Sequence, residues 1–148
     1  MIEVRAATAD DIAQVVELWD REGGPTRHAG RHHEAAILLA RDPDALLVAT
    51  EGGALLGTLI VGWDGWRCHL YRLAVARDAR RRGTARLLVD AARARATRLG
   101  AVRLDAMVDP DNTDAVAFWE SVGFALDRDA RWNLVVPPAT DPTPDLTR

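Results

Sequence analysis

Arg77, Arg80, Arg81, Arg82 and Gly83 stand between two runs of different character. Residues 70–76 are apolar and β-prone, whereas Ala85, Leu88, Val89, Ala92, Ala96 and Leu99 recur at the spacing of one helical face. A strand therefore runs into a helix at this joint. The first amides of a helix have no acceptor within it, and with the helix dipole they attract an anion. A basic run alone is usually a solvated face. At a helix N-terminus, however, its charge opposes the dipole unless an anion lies between them, so the joint reads as a phosphate cradle.

The remaining reactive side chains narrow the chemistry. All 19 basic residues are arginine, which removes a Walker-type lysine, a Schiff base and a lysine general base. Ser121 is the only serine and lies in a helical pattern, outside any Gly-x-Ser-x-Gly setting. Cys68 and His69 are neighbours on an expected strand and so face opposite ways, which makes them a poor nucleophile and base pair. Covalent catalysis is not expected. His28, His32 and His33 fall in residues 26–33 with no cysteine nearby and only Glu34 as a carboxylate, so that segment reads as a polar, partly helical loop and no metal site is expected.

The elements that must position these groups follow from periodicity. Residues 2–6 alternate as a half-buried strand. Thr8, with Asp11 three residues on, caps a helix whose apolar side is Ile12, Val15, Val16, Leu18 and Trp19, and Gly23-Gly24-Pro25 ends it. A short helix over 34–41 stops before Pro43. Residues 46–50, 55–61 and 67–76 form three consecutive antiparallel strands, joined by turns at 51–54 and 62–66. After the long helix Gly100 supplies a C-cap, and residues 102–108 form the next strand. Residues 109–112 break that strand and cap a helix carrying Ala115, Phe118, Trp119 and Val122. Residues 124–126 and 131–136 read as a closing hairpin, and the proline-rich tail 137–148 is expected to be disordered.

Composition sets the class. A chain of 148 residues, 48% hydrophobic and 28% charged, holds one domain, here residues 1–136, with room for a core. A net charge of -3 and a pI near 5.8 argue against general nucleic-acid or membrane-surface binding. No apolar run is long enough to span a membrane, no signal-like N-terminus is present and there is a single cysteine, so a cytoplasmic protein is expected.

Arg80-x-x-Gly83-x-Ala85, behind Leu73-Ala74-Val75, resembles the pyrophosphate loop of the GNAT superfamily of acyl-CoA-dependent N-acyltransferases. The second motif of that family follows in register as Asn112-x-x-Ala115-x-x-Phe118-Trp119-x-x-x-Gly123-Phe124. The resemblance spans residues 1–136 and implies the family's fold: a mixed, largely antiparallel sheet with helices on both faces, in which two parallel strands, here 67–76 and 102–108, splay apart. It implies acetyl-CoA as co-substrate, without a metal, and a primary amine of a small molecule or peptide as acceptor. Dimers are common in the family, so a homodimer is a further expectation of the resemblance.

The resemblance also distributes roles. Amides of Leu73 and Val75, on the segment with Ala74, would align the pantetheine and acyl carbonyl. Arg80 opens the loop, and amides of Arg81, Arg82, Gly83, Thr84, Ala85 and Arg86 would hold the pyrophosphate. Asn112 would lie on the pantetheine arm and Trp119 near the thioester sulfur. Asn112 is equally a helix N-cap. The acceptor is expected between the first two helices, beside the histidine segment.

Acyl transfer to an amine needs a proton acceptor, since a lysine-like amine has a pKa near ~10.4, a fixed donor for the developing oxyanion, and a proton for the departing thiolate. Direct attack in a ternary complex needs no covalent intermediate. Two positions depart from the family. A tyrosine commonly stands where this chain has Trp119, whose indole cannot yield a proton as a phenol can, and Tyr71 is the only tyrosine. A glutamate that some members place five residues before the motif asparagine is here Met107. If a phenol serves as acid it is Tyr71, and otherwise the thiolate leaves unaided or takes a proton from water; His69, Asp109, Asp105 or ordered water are the candidate bases. The departures keep a second reading open, a catalytically silent acyl-CoA-binding regulatory module. A third is a loop that binds another phosphorylated ligand, although neither a Gly-x-Gly-x-x-Gly nor a Walker motif is present.

Overall fold

Glu3, Val4, Arg5 and Ala6 alternate between exposed and half-buried positions in the first strand, β1 (Glu3–Ala6), as a strand with one face on a core must. The computed structural model describes residues 1–22, 31–129, 132, 134 and 136. Asp11 ties the next turn: its carboxylate accepts from the Thr8 amide at 2.7 Å and from both Arg5 guanidinium nitrogens at 2.7 and 2.9 Å. Helix α1 (Ile12–Glu22) follows, with Ile12, Val15, Leu18 and Trp19 buried, and α2 (Arg31–Arg41) buries Ala35 beside it.

Three antiparallel strands come next, β2 (Leu46–Glu51), β3 (Ala54–Trp63) and β4 (Cys68–Val75). Helix α3 (Thr84–Leu99) crosses over to β5 (Leu104–Ala106), which lies parallel to β4, and α4 (Thr113–Ser121) ends the described regular structure. The sheet order is β1-β2-β3-β4-β5. This is the expected mixed, largely antiparallel sheet.

Each face of the sheet has its own core. On one, Leu59, Val61, Cys68 and Leu70 pack under Leu88, Val89, Ala92 and Ala96 of α3 and under Trp119 of α4. On the other, Leu46, Val48 and Ile60 pack against Ile12, Val15 and Trp19 of α1 and Ala35 of α2. Gly57 lets α3 approach closely: a Cβ there would stand 2.9 Å from the Ala74 carbonyl oxygen and 3.1 Å from Leu88 Cδ1.

Some expectations change. Helix α2 starts at Arg31, so His32 and His33 are exposed residues of its first turn and not of a loop. Strand β5 is three residues long, with Leu104, Asp105 and Ala106 in register with β4, while Val102 and Met107 are exposed. No strand forms over 124–126, where Leu126 is 85% exposed and pairs with no strand among the described residues. The second arm of the expected hairpin, 131–136, is described only at alternate positions, and the 23–25 helix stop, His28 and the tail 137–148 lie outside the described residues.

Candidate active site

The joint between β4 and α3 is built largely from backbone. After Val75 a single 3₁₀ turn, Arg77–Ala79, redirects the chain, Arg80 is extended, and Arg81 and Gly83 then take positive φ values of 61° and 80°. Gly83 is the N-cap of α3, and a side chain there would be strained at that φ. The first intrahelical bond is Leu87 N–H to the Gly83 carbonyl at 3.0 Å, so the amides of Thr84, Ala85 and Arg86 have no acceptor inside the helix. Thr84 fastens the loop from beneath, its buried hydroxyl donating to the Ala79 carbonyl at 3.2 Å.

Over this turn lies an open cavity of about 330 Å³, walled by Val75, the Ala79–Arg86 loop except Arg82, and Phe118 and Ser121 of α4. The arginines are not equivalent around it. Arg80 is paired with Glu22 at 2.7 Å and Arg82 with Glu51 at 2.6 Å. The Glu51 carboxyl is held below the usual range, first by Arg82 and then by the N-terminal ammonium. Two protein carboxylates thus answer the conflict between arginines and helix dipole that the sequence raises. The case for an anion rests instead on the amides and on the cavity above them.

From this cavity the site continues along β4. Strand β5 pairs with β4 only at Cys68, His69 and Leu70, and no residue of β5 lies beside Tyr71–Val75 among the described residues. β5 thus ends at Ala106, and from Tyr71 on this edge of β4 has no parallel strand beside it among the described residues. Opposite that edge, β4 carries an extra residue: Ile60 pairs with Tyr71 and Thr58 with Ala74, so Leu59 faces both Arg72 and Leu73. Arg72 has φ 56°, and a buried chain secures it, Trp19 Nε1–H donating to Thr58 Oγ1 at 2.8 Å and Thr58 Oγ1–H to the Arg72 carbonyl at 2.9 Å. The Arg72 guanidinium lies 5.3 Å over the Trp19 ring.

At the far end of β4 the groups are side chains. His69 and Tyr71 share the sheet face of Ile60, the α1 and α2 side, since they pair with Gly62 and Ile60. His69 Nε2 is 3.0 Å from Asp64 Oδ2, and Nδ1 is 3.6 Å from Asp105 Oδ2. Asp64 closes the β3 to β4 turn, its Oδ1 accepting from the Trp66 and Arg67 amides at 2.8 and 2.7 Å. The Arg67 amide first, then His69 and the Trp66 amide, lower the Asp64 carboxyl to about 2. Desolvation raises the Tyr71 hydroxyl, which therefore keeps its proton at neutral pH.

The structure thus brings Leu73, Ala74, Val75 and Arg80–Arg86 into one continuous strand and loop, with His69 and Tyr71 on the same strand. Asp109 instead shapes the turn before α4, its Oδ1 accepting from the Asp111 amide at 2.9 Å. Asn112 caps α4 through the Ala115 amide at 3.1 Å. Trp119 is 9% exposed and sits edge-on to Phe118 and Phe124, at 5.4 and 4.8 Å between ring centroids. Phe118, one residue earlier, reaches the cavity wall. Ser121 as a wall residue, Glu22 and Glu51 as partners of the loop, and Asp64 are singled out by no motif. Only Asp64 had a local signal, the Asp64-Gly65 turn five residues before His69. No helix among the described residues is long and apolar enough to cross a membrane, and no metal-ligating cluster occurs among them.

The profile of the acetyltransferase (GNAT) family matches residues 12–124. An acetyltransferase of Sodalis glossinidius (strain morsitans) is 29% identical over 125 residues, 84% of this chain and 88% of its own length. One from Pectobacterium atrosepticum is 29% identical over 123 residues, 83% of this chain and 87% of its own. Among solved structures, the aminoglycoside N-acetyltransferase AAC(6')-Iy in complex with CoA superposes with a TM-score of 0.77 at 16% identity, covering 91% of this chain and 95% of that one. Ard1 from Thermoplasma volcanium gives a TM-score of 0.75 at 20% identity over 85% and 84% of the two chains. At these identities the structural likeness is one of fold. The family profile covers most of the chain and carries the assignment: this chain belongs to the acetyltransferase (GNAT) family.

Proposed function

We propose that this protein transfers an acetyl group from acetyl-CoA to a primary amine of a small molecule or peptide, by direct attack in a ternary complex. The observation that carries the reading is the continuity of the amide-lined cavity at α3 with the stretch of β4 that β5 leaves unpaired. The amides of Thr84, Ala85 and Arg86 and the Arg81 side chain suit a pyrophosphate, and the backbone of Leu73–Val75 suits an extended amide-bearing arm. At about 3.3 Å per residue, Tyr71 lies roughly 13 Å along the strand from Val75. The acyl group would be presented near the Arg72 bulge. The co-substrate supplies an activated thioester carbonyl there.

The chain's own groups divide the protons. An acceptor arriving as an ammonium must lose two on becoming an amide. His69 takes one and passes it to solvent; as the C–N bond forms and the C–S bond breaks, Tyr71 or water gives a proton to the sulfur and is restored by the second proton leaving the nitrogen. The solved CoA complex of a relative in fold supports the cofactor assignment.

Calorimetric titration of acetyl-CoA and CoA into the intact protein and into Gly83→Trp tests the reading. Micromolar binding by the intact protein, weakened at least ~100-fold when an indole stands over the amides, is expected. Thiol release with a panel of amines then reads turnover. Absence of binding by the folded protein overturns acetyl transfer, and binding without turnover on any amine leaves a silent acyl-CoA-binding module.

A further inference from the structure

We propose that Asp64 is a positioning residue for this reaction, holding His69 in the tautomer that carries its proton on Nε2 so that the Nδ1 lone pair is the acceptor for the ammonium proton. The catalytic half of this statement rests on the acetyl transfer proposed above; the tautomer half does not. Asp64 Oδ1 is occupied by two backbone amides, so the carboxylate cannot rotate away, and Oδ2 is left aimed at His69 Nε2 at 3.0 Å. A carboxylate held ionised to about 2 only accepts hydrogen bonds, so a nitrogen in contact with it must bear the hydrogen. In neutral imidazole the other nitrogen is then an unprotonated acceptor.

That other nitrogen is free to do work. Nδ1 stands 3.6 Å from Asp105 Oδ2, beyond hydrogen-bond reach, and Asp105 Oδ1 is engaged by Arg103 Nε at 2.8 Å. Asp105 therefore does not hold the Nδ1 position. The charged and titratable groups around His69 are Asp64 from the β3 to β4 turn, Asp105 and Arg103 from β5 and the residue before it, and Tyr71 on the same face of β4. From α1 and α2, Asp20, Arg31 and Glu34 act on Arg72, the next residue after Tyr71. His69 is 46% exposed at its side chain, so an amine can reach it.

Asp64→Asn separates positioning from structure. Its amide oxygen can still accept from Trp66 and Arg67 and so keeps the turn, while its NH₂ replaces the oxygen facing Nε2 and drives the proton to Nδ1. Nitrogen-15 NMR of the imidazoles, with His69 assigned by its loss in His69→Gln, is expected to show the Nε2–H tautomer in the intact protein and Nδ1–H in Asp64→Asn. Turnover in Asp64→Asn is expected to fall on the order of 10²-fold in kcat, with the KM for acetyl-CoA unchanged. An Nδ1–H tautomer in the intact protein, or an unchanged kcat in Asp64→Asn, overturns the proposal. An intact protein that shows Nε2–H but acetylates no amine overturns acetyl transfer and supports the Asp64 and His69 pairing. Because the spectrum of the intact protein is read without Asp64→Asn, misfolding of that variant cannot leave the tautomer undecided.

Discussion

At its C-terminal end β4 runs into a loop whose useful groups are amides, set by Arg81 and Gly83 at positive φ and by the start of a helix. At its N-terminal end the useful groups are side chains from three segments, Asp64 from a turn, His69 from β4 and Asp105 from β5. The first end is assembled by consecutive residues and the second by a sheet. A site made of consecutive backbone tolerates wide change in side chains as long as the glycine and the helix start persist. One made across strands depends on each side chain and on the register that brings them together.

The sharpest break in that comparison is His69→Ala. It is expected to lower kcat by ~10²–10⁴-fold while leaving the dissociation constant of acetyl-CoA unchanged, because it removes the proposed proton acceptor at one end and touches nothing at the other. Steady-state rates beside calorimetry read both halves. Thr58→Val strikes between the two ends. It leaves the buried Trp19 Nε1–H and the Arg72 carbonyl without their shared partner and is expected to cost about 1–3 kcal/mol in urea unfolding.

The third change lies away from both ends and should move stability alone. Arg5 holds the Asp11 carboxyl at about 2 in place of 3.8. A depressed folded value gives stability that is complete above the unfolded pKa and is lost as pH falls through 3.8 towards 2. Its size is about 2 kcal/mol. Unfolding free energies measured from pH 6 to pH 2 should show that loss, and Arg5→Gln should flatten it. The smallest effect is reserved for Arg82→Ala. Its guanidinium is turned to Glu51 and not to the cavity wall, so a loss of acetyl-CoA affinity within about fivefold is expected, roughly 1 kcal/mol at low salt. A hundredfold loss would show that Arg82 leaves Glu51 to reach the phosphates.

The same contrast explains what could be read in advance. The β4 to α3 joint is legible because its information is local: the switch from β-prone to helical periodicity, Gly83 at the N-cap and Gly100 at the C-cap all lie within one stretch. The helices and the three antiparallel strands follow for the same reason. The Asp64, His69 and Asp105 cluster is not legible as a unit, since Asp105 reaches His69 only through the parallel pairing of β5. Trp119 and Phe118 could not be told apart by spacing, because both lie on the apolar side of α4 and only packing against Phe124 decides which is buried. The shortness of β5 and the exposure of Leu126 depend on which neighbours are in reach, and no local pattern carries that.

The extra residue at Arg72 changes the parity of β4. Before it, odd positions, His69 and Tyr71, look towards α1 and even ones, Cys68 and Leu70, towards α3; after it the assignment is exchanged, with Leu73 on the α3 side and Ala74 on the α1 side. The strand is two half-strands out of phase by one step, joined at the point where β5 leaves. A chain lacking that residue could keep its anion loop in place only by turning His69 into the α3 core, or keep His69 only by turning the loop over. The left-handed Arg72 thus lets one continuous strand present its side chains in two opposite phases.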